Sequence, residues 1–139
     1  MVMKNLLIAI LIIVGLIAVS CSKKEVESKN FVLLTSHNWL SDSLLIDGED
    51  ASGPGGMLEI FKGEVIFNKD RTGTYGAYSG TWSFAEEETK IVLSSDSLGF
   101  PLTTNIEELT NISLKITTEF PRTNEPENPM NIRMTFKAK

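Results

Sequence analysis

The chain has 139 residues, a formal net charge of −5, 42% hydrophobic side chains and one cysteine. The acidic balance argues against a nucleic-acid partner, which would need a basic surface patch, and a lone cysteine excludes a disulfide within the chain. A chain of this length supports one modest core, and neither an internal repeat nor a second domain is visible.

The first 20 residues stand apart. Met1–Asn5 carries one positive charge, Lys4, and Leu6–Val19 is an unbroken apolar run of 14 residues. A membrane-crossing helix needs about 20 apolar residues, whereas the apolar centre of a secretory signal peptide has about 7–15. Ala18-Val19-Ser20 then sets small residues before Cys21, as a signal peptidase that grips extended backbone requires. The reading is a lipoprotein signal peptide over 1–20, with Cys21 as the first mature residue and the site of lipid attachment. The alternative is an uncleaved N-terminal anchor with an incidental cysteine. A lone thiol is a liability in an oxidising compartment, and a thioether to lipid caps it. Ser22 stands where Asp would hold some bacterial lipoproteins at the inner membrane, so the expected location is the cell envelope, anchored to the outer membrane. Whether the domain faces the periplasm or the cell surface is left open. Loss of Lys4 with the signal takes the net charge from −5 to −6. That acidity does not favour an anionic lipid surface, so anchoring falls to the acyl chains, of which one binds marginally and two hold.

Residues 21–30 mix both signs of charge and read as a lipidated flexible tether; residues 31–139 read as the domain. Phe31–Leu34 reads as a short helix or turn leading into a strand over Trp39–Ile46, the alternative being that it is itself the first strand. Gly48, Gly53, Pro54, Gly55 and Gly56 mark 47–56 as a loop. Met57–Phe67 reads as a strand whose apolar set changes face at Gly63, the sign of a β-bulge. Asn68–Arg71 is a turn, Thr72–Tyr78 a glycine-spaced strand, and Gly80, Trp82 and Phe84 share one face of the next. Glu86–Glu88 is a charged turn before a strand over Thr89–Ser95. Ile106–Leu109 fits either a helical turn or the partner strand of a hairpin. Ile112, Leu114, Ile116 and Phe120 alternate with polar residues, as do Met130, Ile132, Met134 and Phe136; Pro121, Pro126 and Pro129 lie between. A period of two means half-buried antiparallel strands. The sum is all-β: about seven or eight strands in a small antiparallel up-and-down barrel, closed or nearly so.

Few residues offer chemistry. His37 is the single histidine; Ser36, Ser41 and Asp42 are near it in sequence, but no nucleophile-elbow pattern surrounds any serine. No catalytic residue and no enzyme activity is expected. Asp47, Glu49 and Asp50 do not continue into a calcium-loop pattern, so they read as a solvated acidic loop, and neither metal nor cofactor is expected. Phe67, Tyr75, Trp82 and Phe84 are the residues expected to line the interior, with Tyr75 as a polar handle.

The order of motifs is informative: the signal with Cys21, Asn38-Trp39-Leu40 opening a strand, the turn from Phe67 to Gly73, Gly80-Thr81-Trp82-Ser83-Phe84, and the hairpin from Ile106 to Leu114. Over roughly residues 31–138 this resembles the lipocalin-like domain lipoproteins of Bacteroidota. Asp70-Arg71-Thr72-Gly73 departs from the resemblance by setting Arg where that family's turn has Gly. The resemblance implies a lipocalin/calycin-like barrel, outer-membrane lipidation and an unassigned ligand. Two readings of function follow. In one, the barrel is a binding module for a small apolar ligand or hydrophobic moiety. In the other, it is packed solid and meets another envelope protein through an exposed edge or through the loops at Asp47–Gly56 or Pro121–Pro129. Small eight-stranded barrels do either.

Overall fold

The computed structural model describes residues 27–139. The signal segment 1–20, Cys21 and the tether up to residue 26 lie outside the described residues. The first element, α1, is a two-turn helix over Lys29–Thr35 that begins within the segment read as tether. Ser28 caps it: its backbone is extended, and its Oγ accepts the Phe31 N–H at 3.1 Å, satisfying one of the donors a helix start leaves open. Phe31 and Leu34 face inward, one turn apart, and Val32 faces out.

Nine strands follow: β1 (Asn38–Ile46), β2 (Glu49–Asp50), β3 (Glu64–Phe67), β4 (Thr72–Tyr75), β5 (Tyr78–Ala85), β6 (Lys90–Ser95), β7 (Leu102–Leu109), β8 (Ser113–Phe120) and β9 (Met130–Ala138). β2 is a two-residue hairpin on the end of β1. The other eight form a ring in which each pairs antiparallel with the next. The ring closes where β9 returns along β1, from Trp39 opposite Ala138 to Ile46 opposite Ile132. Closure removes the free edges that would otherwise template aggregation.

Alternation places Trp39, Val65, Phe67, Tyr75, Trp82, Ile91, Leu93, Leu114, Ile116, Ile132, Met134 and Phe136 inside, all at most 3% exposed. β1 slips register between Ser41 and Ser43. There Thr135 accepts the Ser43 N–H at 3.1 Å, so the bulge leaves no buried donor unpaired. Among the described residues, the closed ring of strands and the core cluster both lie within 28–139, so this segment carries a complete barrel with a core of its own.

The two ends of the ring differ. α1 lies across one, reaching from β3 to β7, beside the β3–β4, β5–β6 and β7–β8 turns; this is the closed end. The other, the mouth, carries the β1–β3 connection, the Gly76-Ala77 turn and the β6–β7 and β8–β9 loops.

Two sequence expectations change. Met57–Phe67 is not one bulged strand. Residues 59–61 form a 3-10 turn, and only Glu64–Phe67 is strand. The buried pair is Leu58 and Phe61, three apart, which is a helical spacing and not an alternation. Gly63, at φ +101°, redirects the chain into β3. Thr72–Tyr78 is likewise divided, because Gly76 at φ +58° begins the β4–β5 turn. A Cβ on Gly76 would sit 2.6 Å from the Ile60 carbonyl oxygen, so the close approach of the 3-10 turn requires glycine. Ile106–Leu109, open between two readings, is strand.

Candidate functional site: an apolar pocket at the barrel mouth

The aromatic residues expected around a cavity are brought together, and they fill the space themselves. Phe67, Tyr75 and Trp82 are at most 2% exposed. Trp82 meets Phe67 edge-on at 5.7 Å between centroids and Phe84 at 5.3 Å, and Phe31 of α1 closes on it at 5.8 Å. These separations and angles are the favoured ones for aromatic pairs. The Arg71 guanidinium carbon lies 4.7 Å from the Trp82 centroid and 4.8 Å from that of Phe31, a cation–π plug over the closed end. Arg71 takes φ +73°, so it occupies the left-handed conformation that glycine would favour at this turn.

The polar end of Tyr75 is committed inside the barrel. Its hydroxyl donates to the Thr81 carbonyl at 2.5 Å, and burial pushes the phenol up to about 12. The ring lies across Gly80, where a Cβ would meet the Ser94 carbonyl at 2.1 Å and Tyr75 Cε2 at 2.7 Å. The Trp82 indole N–H is also committed, to the Asn68 carbonyl at 2.9 Å.

The open space lies at the mouth. A pocket of about 230 Å³ is bounded by Met57, Leu58, Ile60 and Phe61 on one side, by Leu98, Phe100 and Leu102 of the β6–β7 region on another, and by Phe120 and Ile132 on the wall. Ser97 is the one polar side chain in this lining. None of Phe67, Tyr75, Trp82 or Phe84 lines it, because closed-end packing absorbs Phe67, Trp82 and Phe84, and Tyr75 is held between Phe61 and Phe67. Met57 and Phe100 stand on the rim, 52% and 47% exposed, and Phe100 stacks on Phe120 at 5.0 Å. The volume lies above the ~150 Å³ that accepts benzene and below the ~300–1,000 Å³ of drug-sized sites. It suits a single ring or a short alkyl segment, and the lining carries no charge to recognise an ion.

Residues 51–62 form one wall and are hydrogen-bonded largely to themselves. Gly56 N–H bonds to Gly53, Leu58 to Ala51, Phe61 to Leu58 and Lys62 to Glu59. Leu58 and Phe61, at most 2% exposed, pin this flap to the barrel, and Phe61 meets Tyr75 at 5.6 Å.

Sequence reasoning missed these pocket residues. Its signal was there to read: Leu98 and Phe100 are large apolar side chains beside Gly99 and Pro101, where loop composition leaves them nothing local to pack on.

The remaining candidates lie elsewhere. His37 packs edge-on against Trp39 at 5.7 Å, at the closed end. Asp47 accepts the Asn131 N–H at 2.9 Å and pairs with Arg122, and the Asn131 bond holds its carboxyl below the usual carboxylate range. Asp50 bonds Ser52 at 2.6 Å. The acidic loop is thus tied to β9 and the β8–β9 loop. Among the described residues no three His, Cys, Asp or Glu side chains are grouped as a metal site.

No protein-family model and no curated protein matches the chain. Among solved structures, it is similar to a complex of bovine odorant binding protein, a lipocalin, with a selenium-containing odorant. The TM-score is 0.51 at 11% identity, over 85% of this chain and 78% of that one. The fold is lipocalin-like. At this identity the likeness concerns the fold alone, and the site rests on the geometry above.

Proposed function

We propose that this protein is a lipid-anchored binding module of the cell envelope that captures a small, uncharged apolar molecule or moiety in the mouth pocket. The uncharged 230 Å³ pocket, rimmed by exposed Met57 and Phe100, carries this reading. Leaving two such side chains in water gives up burial of about 25 cal/mol per Å², which a ligand would recover. The lipocalin-like fold supports it: its structural neighbour holds an odorant.

The Cys21 signal in the sequence supports the anchor, and the described chain enters the domain at the closed end. Ser28 donates to Glu88 at 2.6 Å and Glu27 pairs with Lys69 at 3.5 Å, both at the closed end. A lipid on Cys21 is six residues from Glu27 in sequence, a reach of roughly 20 Å. The closed end would thus face the outer membrane and the mouth would open away from it.

Two experiments test the reading. Titration of residues 28–139 with 1-octanol should show saturable binding that Leu98→Trp, which fills the pocket, abolishes without loss of fold; unsaturable binding, or binding unmoved by that change, would refute it. For the anchor, Cys21→Ala should leave the precursor uncleaved or release it from membranes, and unchanged lipid labelling would refute it.

A further inference from the structure

Phe100 belongs to two cavities. It lines the apolar pocket, where it stacks on Phe120, and also a cleft of about 600 Å³ on the outside of the barrel wall, under the β6–β7 loop. The floor of that cleft is β5 and β6. Thr81 and Ser94 are directly opposite each other across these strands, flanked by the inward pair Trp82 and Leu93, so alternation sends both hydroxyls outward. Ser79, Gly80 and Ser95 of the same strands and Asp96, Gly99 and Pro101 of the loop complete the lining, with the Ser95 hydroxyl already donating to the Ser79 carbonyl at 2.9 Å. Among the described residues, the side-chain hydroxyls of Thr81 and Ser94 and the carboxylate of Asp96 make no hydrogen bond, although the Thr81 carbonyl takes the Tyr75 hydroxyl. A half-exposed aromatic ring thus stands between an apolar pocket and a polar cleft with hydroxyls and one carboxylate to offer.

We propose that the ligand is an amphiphile that straddles Phe100: an apolar segment of about eight carbons in the mouth pocket and an uncharged, polyhydroxylated head group in the outer cleft. This rests on the apolar-pocket reading above and adds the class of head group. Thr81 and Ser94 both donate and accept, and Asp96 accepts from paired hydroxyls. The ring of Phe100 offers its face to the C–H side of a sugar-like head. An anionic head meets Asp96 and is repelled. A cationic head gains one exposed, salt-screened contact and leaves the hydroxyls unused.

The test compares four eight-carbon probes on residues 28–139 by titration calorimetry, below micelle-forming concentrations: 1-octanol, octyl glucoside, octyltrimethylammonium and octyl sulfate. Octyl glucoside should bind at least tenfold more tightly than 1-octanol, and both charged probes more weakly than the glucoside. The double variant Thr81→Val, Ser94→Ala, on the solvent face of the sheet, should erase the glucoside's advantage. Equal affinities for 1-octanol and the glucoside, a glucoside preference that survives the double variant, or tightest binding of the ammonium probe would overturn the head-group assignment and leave the apolar pocket standing. Absence of 1-octanol binding would remove the pocket itself, and this inference with it.

Discussion

The two ends of the barrel are built from similar materials to opposite effect. At the closed end, Phe31, Phe67, Trp82 and Phe84 pack ring against ring under Arg71, and α1 is locked to β1 by the Trp39 indole N–H donating to the Leu34 carbonyl at 3.0 Å. At the mouth, Leu58 and Phe61 enter on a flap bonded to itself, and a void remains beside them. Both ends bury aromatic rings. The difference is whether the supporting backbone belongs to the ring of strands or only rests on it. An end whose rings are held by strands and a capping helix gives stability. An end closed by a self-contained flap leaves room for a ligand and can yield to one.

This contrast is sharpest for matched truncations. Trp82→Ala should destabilise the domain by about 3–5 kcal/mol, because the surrounding strands cannot collapse into the hole. Phe61→Ala should fall at or below the lower end of that range, about 3 kcal/mol, since the flap can settle inward, and it should enlarge the binding pocket. Urea denaturation of both variants checks the order; a larger loss at Phe61 would break the comparison. Gly80→Ala tests the strand between the ends. A Cβ 2.1 Å from the Ser94 carbonyl and 2.7 Å from Tyr75 Cε2 must push β5 from β6 and shift the Tyr75 ring, at a cost of about 1–3 kcal/mol, visible as a lowered urea midpoint.

Tyr75 joins the two ends, since its ring touches both Phe61 and Phe67. Burial pushes its pKa up to about 12, above the ordinary phenol value of 10.0. The stability contributed by the neutral phenol is therefore whole below pH 10 and is lost as pH rises towards 12, with a slope approaching about 1.4 kcal/mol per pH unit. Tyr75→Phe should remove this share of the alkaline slope while costing about 1 kcal/mol at neutral pH for the lost hydrogen bond. An unchanged alkaline slope would show that the phenol ionises as freely folded as unfolded. The smallest effect is expected at Arg71. Arg71→Ala loses the stacking and keeps a Cβ at φ +73°, a net loss of about 1 kcal/mol. Arg71→Gly loses the same stacking and relieves the left-handed backbone, so it should be close to neutral. If the two variants are equally stable, the turn carries no strain.

Much of this fold was legible in the chain. The alternation holds in β8 from Leu114 to Phe120 and in β9 from Met130 to Phe136, whereas Ile112, expected to start the inward set, lies in the turn before β8 and is 68% exposed; the turn clusters at Asn68–Arg71 and Glu86–Glu88 fall between strands. Arg71 was legible as a departure from the expected glycine but not as a cation over Trp82 and Phe31, because its partners come from α1 and β5. The flap was misread for a local reason: Leu58, Ile60, Val65 and Phe67 mimic a strand by composition, and only the burial of Phe61 with Leu58 shows a helical turn. The pocket as a whole was not legible, although Leu98 and Phe100 stand out singly as apolar side chains beside Gly99 and Pro101. Its walls come from four separated stretches, near residues 57–61, 97–102, 120 and 132, and no periodicity links them.

The sequence by itself determined that the domain is an antiparallel barrel, because strand period and turn chemistry are local properties written residue by residue. It also carries the signal and Cys21 motif on which the proposed anchor rests. Only the tertiary structure decided which aromatics became core and which stretch became cavity. That choice depends on how volumes from distant segments fill one enclosed space: α1 and Arg71 pack over the aromatic rings at one end, and the flap left the other with about 230 Å³ to spare.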